Sequence, residues 1–166
     1  MSERHRRART PRLLAIVLLG AVLGSGLTGC AVLKSELDRS GEHTVDYGDV
    51  ADAVSAPVPR VTTVEDPSRS LNGFEYRIGL RLVTDSAEPF TADDLDAVAE
   101  AVWTSMPWEP GTIRLTAVAE TAQGLESVDL RTAASALEPL TVRQTGQGGV
   151  SLTGMSARYG AWTPPN

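Results

Sequence analysis

Between residues 74 and 120 the spacing of apolar side chains switches from every second residue to every third or fourth, and back again. That switch restricts the segment to a strand, a helix and a strand, in that order. From Phe74 to Val83 the side chains of Phe74, Tyr76, Ile78, Leu80 and Leu82 fall on one side, and Glu75, Arg77, Gly79 and Arg81 on the other. Successive strand side chains point to opposite faces, so the run predicts a half-buried strand with one polar face. Thr91 stands where a helix cap is needed, with Asp94 three residues later as its capping-box partner. Leu95, Val98, Ala99, Val102, Trp103 and Met106 follow at helical spacing, and Pro107 ends the run. Trp103 belongs to that stripe, which assigns it to packing. Thr112 to Glu120 alternates again, with Ile113, Leu115, Ala117 and Ala119 inward.

Weaker patterns flank this centre. Tyr47, Val50, Ala51 and Val54 share one side of a first helix that Pro57 stops, and Val58 to Val64 reads as a strand. Asp66-Pro67 and Asn72-Gly73 punctuate a loop. A helix opening at Ser127 or Asp129 carries Leu130, Ala133, Ala134 and Leu137. Two short strands, Leu140–Gln144 and Val150–Met155, surround Thr145-Gly146-Gln147-Gly148-Gly149, a flexible hairpin tip. The order α-β-β-α-β-α-β-β predicts an α+β domain over residues 45–162, with 163–166 a frayed tail. Its architecture is an open, mostly antiparallel sheet with helices packed on one face. The helix-strand-strand order at each end resembles the small αββ units of envelope proteins such as the BON domain, a likeness of topology without a shared motif.

Residues 4–12 read Arg-His-Arg-Arg-Ala-Arg-Thr-Pro-Arg, an apolar run follows from Leu13 to Leu23, and Leu27-Thr28-Gly29-Cys30 close the segment. A positive flank, a short apolar stretch and small residues make a secretory signal. The final four residues resemble the bacterial lipobox. In that family the cysteine thiol receives a diacylglyceryl group and a dedicated peptidase cuts before it. The resemblance implies a signal peptide at 1–29, with Leu27, Thr28 and Gly29 read by the peptidase and Cys30 carrying the lipid. Residues 30–44 then tether the domain to the outer side of the cell membrane. Two or three acyl chains hold durably, at ~0.8 kcal/mol per buried methylene. An uncleaved membrane helix fits less well, because Leu13 to Gly29 barely spans ~30 Å of hydrocarbon and holds four glycines. Arg6-Arg7 lacks the apolar residues that follow a twin-arginine pair, which favours general secretion. One lysine, Lys34, against fourteen arginines resembles the codon bias of high-GC genomes such as those of actinobacteria.

From Cys30 onward the chain carries 10 basic and 20 acidic residues, a net charge of −10. Such a surface excludes a nucleic-acid partner, which needs clustered Lys and Arg. It equally excludes docking on anionic headgroups through a basic patch. His43 is the only histidine outside the signal, and Cys30 is the only cysteine of the chain. A Ser-His-Asp triad, a Cys-His pair and a Cys/His zinc site therefore have no members in the domain. No metal or cofactor is expected. Asp93, Asp94, Asp96 and Glu100 crowd the start of the main helix, where acidic groups favour the dipole. A hard-cation site there would need ligands from elsewhere.

Arg77 and Arg81 project from one strand face, and Thr112, Arg114 and Thr116 of the neighbouring strand extend it. Arg77, Arg81 and Arg114 thus form a candidate binding face for a carboxylate or phosphate, or else pair with acidic groups across strands. Trp108 and Trp162 stand beside prolines in loops, where an exposed indole serves a partner surface. These features point to a non-catalytic module that binds an envelope protein or wall component. The alternatives are a small-ligand carrier or sensor with a pocket between sheet and helices, and a hydrolase built on two carboxylates across one cleft.

Overall fold

The structure, a computed structural model, describes residues 44–166. Leu27, Thr28, Gly29, Cys30, Lys34 and His43 lie outside the described residues. In chain order the elements are α1 (Val50–Ser55), β1 (Val61–Asn72), β2 (Glu75–Thr84), α2 (Ala92–Ser105), β3 (Pro110–Thr121), β4 (Gly124–Val128), α3 (Arg131–Ala134), β5 (Thr141–Gln144), β6 (Val150–Thr153) and α4 (Met155–Tyr159). They form an α+β fold with one open sheet, ordered β1-β2-β3-β6-β5, in which β4 also pairs with β3.

The strand, helix and strand expected at the centre are β2, α2 and β3. At the start of α2 the Thr91 hydroxyl accepts from the Asp94 N–H at 3.1 Å, and the Asp94 carboxylate accepts from the Thr91 N–H at 3.3 Å. The apolar stripe of α2 is buried against Ile78, Leu80 and Leu82 of β2 and Ile113, Leu115, Ala117 and Ala119 of β3. Because α2 carries the chain back to the same end of the sheet, β2 and β3 are parallel. Every other pairing is antiparallel. Val50 and Val54 of α1, Ala133 and Ala134 of α3 and Met155 of α4 complete the same apolar layer. These side chains form one apolar cluster between sheet and helices.

The structure corrects the expected element order in three places. β1 does not stop at Val64 but continues to Asn72, kinked between Glu65 and Ser68, where Asp66 adopts a φ of +51°. The segment read as a loop is thus strand, with Asn72-Gly73 opening the hairpin turn. Gly124–Val128 is a strand rather than the approach to a helix, and α3 shrinks to Arg131–Ala134. Leu130, Ala133, Ala134 and Leu137 are nevertheless buried, as that helix required. The last strand ends at Thr153, and Gly154, with φ +85°, turns the chain into α4.

The second edge of β3 is shared. Ala117–Thr121 pair with β4, and Ile113–Leu115 pair with β6. The two short strands therefore lie end to end as one interrupted strand, with residues 129–149 looped out between them. Leu130 N–H donates to the Gly148 carbonyl at 3.0 Å across the break. The glycine run does turn β5 into β6, Gly149 N–H reaching the Gly146 carbonyl at 3.1 Å. Gly148 and Gly149 are not a loose tip, however, because both are pressed against neighbouring backbone.

Two arginines fasten the helical layer. Arg60 donates to the Ser86 and Pro89 carbonyls at 3.0 and 3.2 Å and lies 4.8 Å from the Phe90 ring centre, pinning the β2–α2 connection. Arg158 Nε and Nη2 donate to the Asp96 carboxylate at 2.7 and 2.6 Å, and the Tyr159 hydroxyl donates to it at 2.6 Å. The acidic start of α2 is thereby used internally: Asp94 caps the helix and Asp96 clamps α4.

Candidate functional site

The face of the sheet opposite the helices is open. Arg77, Gly79 and Arg81 stand in register with Thr112, Arg114 and Thr116, which alternate with buried Ile113 and Leu115. The arginines expected on one face therefore share it. Arg81 and Arg114 line a groove of about 220 Å³ together with Asp66, Ser68, Thr116 and Gln147. Arg77 does not belong to that groove. Its Nε is buried without a hydrogen-bond partner among the described residues, and so is the hydroxyl of Thr112 opposite it.

Arg81 is already engaged, 2.9 Å from Asp66 Oδ2 and 3.7 Å from Glu65 Oε2. Both carboxylates are well exposed, so these pairs contribute only a few tenths of a kcal/mol. Arg114 is exposed and makes no ion pair among the described residues. Gly79 leaves room for Ser68, whose Oγ lies 2.6 Å from where a Cβ on residue 79 would sit. Among the described residues the two non-glycine positions of positive φ are Asp66 (+51°) and Gln147 (+56°), and both line this groove. Backbone strain persists only where the surroundings over-determine it, and it gathers at ligand clamps. Asp66 and Ser68 arrive from the β1 kink and Gln147 from the β5–β6 turn. Nothing in their local sequence announced that they would meet the arginines.

A second surface lies at the end of the sheet where β2 and β3 begin. Trp108 and Trp162, each expected as an exposed loop indole, are instead half-buried where they pack against the core, and they converge there with Phe74 and Tyr76 around a groove of about 490 Å³. Tyr76 and Trp108 meet edge to face, with ring centres 5.6 Å apart. The Arg69 guanidinium lies 4.8 Å from the Tyr76 ring centre and 5.6 Å from that of Trp108. Glu75 and Glu109 line the same groove. Alternation puts Phe74 and Tyr76 on the inward side of β2, but the β1–β2 hairpin runs past the helices. Ile78 is buried, Tyr76 is 40% exposed and Phe74 is fully exposed. Leu71, across from Tyr76, is 66% exposed.

Among the described residues no helix is long and apolar enough to cross a membrane. No protein-family model, curated protein or solved structure shows significant similarity to this chain.

Proposed function

We propose that this protein is a lipid-anchored, extracytoplasmic module that binds an envelope protein or wall component without catalysing a reaction, through the groove on the open face of its sheet. The observation that carries the binding surface is Arg114, an exposed guanidinium that makes no ion pair among the described residues, beside Arg81 in a groove rimmed by the two strained residues. Arginine side chains, the Gln147 amide and the hydroxyls of Ser68 and Thr116 all donate. The groove thus suits a partner group rich in acceptors, such as a carboxylate, gripped bidentately. The described residues hold seventeen carboxylates against eight arginines, so the long-range field repels an anionic partner and recognition is short-ranged. The location rests on the lipobox resemblance of Leu27 to Cys30.

A photo-reactive residue at position 116 in membrane-bound chain should cross-link one envelope partner. Arg114→Glu should cut that yield at least tenfold, because a charge-assisted hydrogen bond contributes about 1.5–3 kcal/mol and the substitution adds repulsion. An unchanged cross-link in Arg114→Glu would overturn the sheet-face reading. Cys30→Ala should separately abolish incorporation of labelled fatty acid. A labelled band that survives would overturn the anchor.

A further inference from the structure

We infer that the aromatic end of the domain rests on the lipid bilayer, with Phe74 and Leu71 among the headgroups and Tyr76, Trp108 and Trp162 at the interface. This rests on the anchor of the proposed function but concerns a different surface from the groove that takes the partner.

The first argument is where the chain enters the domain. The described residues begin at Thr44, and two residues on, the Asp46 carbonyl accepts from Trp108 Nε1 at 3.0 Å. Gly48 then packs beneath the end of α2, where a Cβ would lie 3.1 Å from the Ser105 carbonyl oxygen. The tether therefore joins the domain beside Trp108. A random coil of as many residues as separate Cys30 from Thr44 has a root-mean-square span of roughly 20 Å. The end that carries Trp108 is thus the end held nearest the lipid.

The second argument is what that end exposes. Phe74 projects fully from the hairpin turn, and Leu71, across from Tyr76, is exposed as well. Behind them Tyr76 and the two tryptophans form a collar, the amphipathic rings that favour the headgroup level of a bilayer. Arg69 lies over the rings with its charged head able to reach water, as long basic side chains do at membrane interfaces. The contact is apolar and interfacial. It needs no basic patch, and Glu75 and Glu109 on the rim give none. Such a small insertion would not recruit a soluble protein, but covalent tethering makes it an intramolecular event at high effective concentration.

The orientation has a consequence for binding. β2 and β3 both start at the aromatic end, so the strands rise from the bilayer and the Arg114 groove faces sideways, clear of the lipid.

The test uses the full chain, purified from membranes and reconstituted into phosphatidylcholine vesicles whose acyl chains are brominated near the headgroups. Trp103 is buried in the core and supplies a constant background. Emission from Trp108 and Trp162 should be quenched relative to unbrominated vesicles. The double variant Leu71→Ser, Phe74→Ser should lose most of that quenching while still floating with the vesicles and keeping its circular dichroism. Both replaced side chains are exposed, so folding is not at stake. Equal quenching in the two proteins, or none in the parent while it floats, would overturn the bilayer contact and leave the anchor standing. A parent chain that does not float overturns both.

Discussion

A Gly149→Ala chain is expected to be about 2–3 kcal/mol less stable than the parent, seen as a lower urea midpoint at unchanged slope. A Cβ on residue 149 would lie 2.6 Å from Thr145 Oγ1, 2.7 Å from the Leu115 carbonyl oxygen and 2.9 Å from Thr116 Cγ2. The threonine hydroxyl can turn aside. The Leu115 carbonyl cannot, because Leu115 pairs with Leu80 on one side and Val150 on the other at the centre of the sheet. Relief would require β3 or β6 to move, opening the seam where β4 and β6 meet end to end. Gly146→Ala is the matched control, since nothing lies within 4 Å of its Cβ position. It should be neutral or gain up to about 0.5 kcal/mol by restricting the unfolded chain. Equal midpoints for the two variants would mean that β4 and β6 are not joined along β3 as described.

Asp96→Asn should cost about 2–3 kcal/mol at neutral pH, because it removes the charge that receives two guanidinium N–H groups in a partly buried site. The pH dependence follows from the directions of the shifts. The Arg158 guanidinium, by its hydrogen bonds, holds the Asp96 carboxyl below its ordinary value of 3.8, outweighing the opposing effect of burial. The clamp's contribution is therefore complete above about pH 4 and is lost as the pH falls further. Burial, then the hydrogen bond to Asp96, holds the Tyr159 phenol above its ordinary 10.0. On that side the contribution is complete below about pH 10 and is lost as the pH rises. Parent and variant should differ by a constant amount between those limits and converge in acid. Urea midpoints at about pH 7 and about pH 3 test this, and a gap of the same size at both would sink the assignment of Asp96.

The parts of this fold that were legible beforehand are those whose burial follows a local period. β2, α2 and β3 each present one apolar side, and the structure buries that side along α2 and β3 and, in β2, from Ile78 onward. β4 has no such period, because Gly124 to Glu126 face water and the strand is held by backbone hydrogen bonds that any sequence can make. The same reasoning hid the outer half of β1, whose side chains are exposed from Glu65 to Asn72. Asp96 read as a helix-start carboxylate because its partners stand at 158 and 159, far along the chain. Trp108 and Trp162 were each legible as loop tryptophans, but not as neighbours. The spacing of Arg77, Arg81 and Arg114 puts them on one side of their strands, and the register of β2 with β3 sets those sides next to each other. The engagement of Arg81 by Asp66 depends on the β1 kink and left no trace in the spacing.

By itself the sequence determined the α+β class and the split between an apolar and a polar sheet face. Contact with water acts on each side chain in turn, and its record is a period that can be read along the chain. The tertiary structure decided the parallel pairing of β2 with β3, the interrupted strand along β3, the Asp96 clamp and the gathering of rings at one end of the sheet. Those depend on hydrogen bonds and packing between segments far apart in the chain, where the energy belongs to the pair and neither partner carries its mark alone.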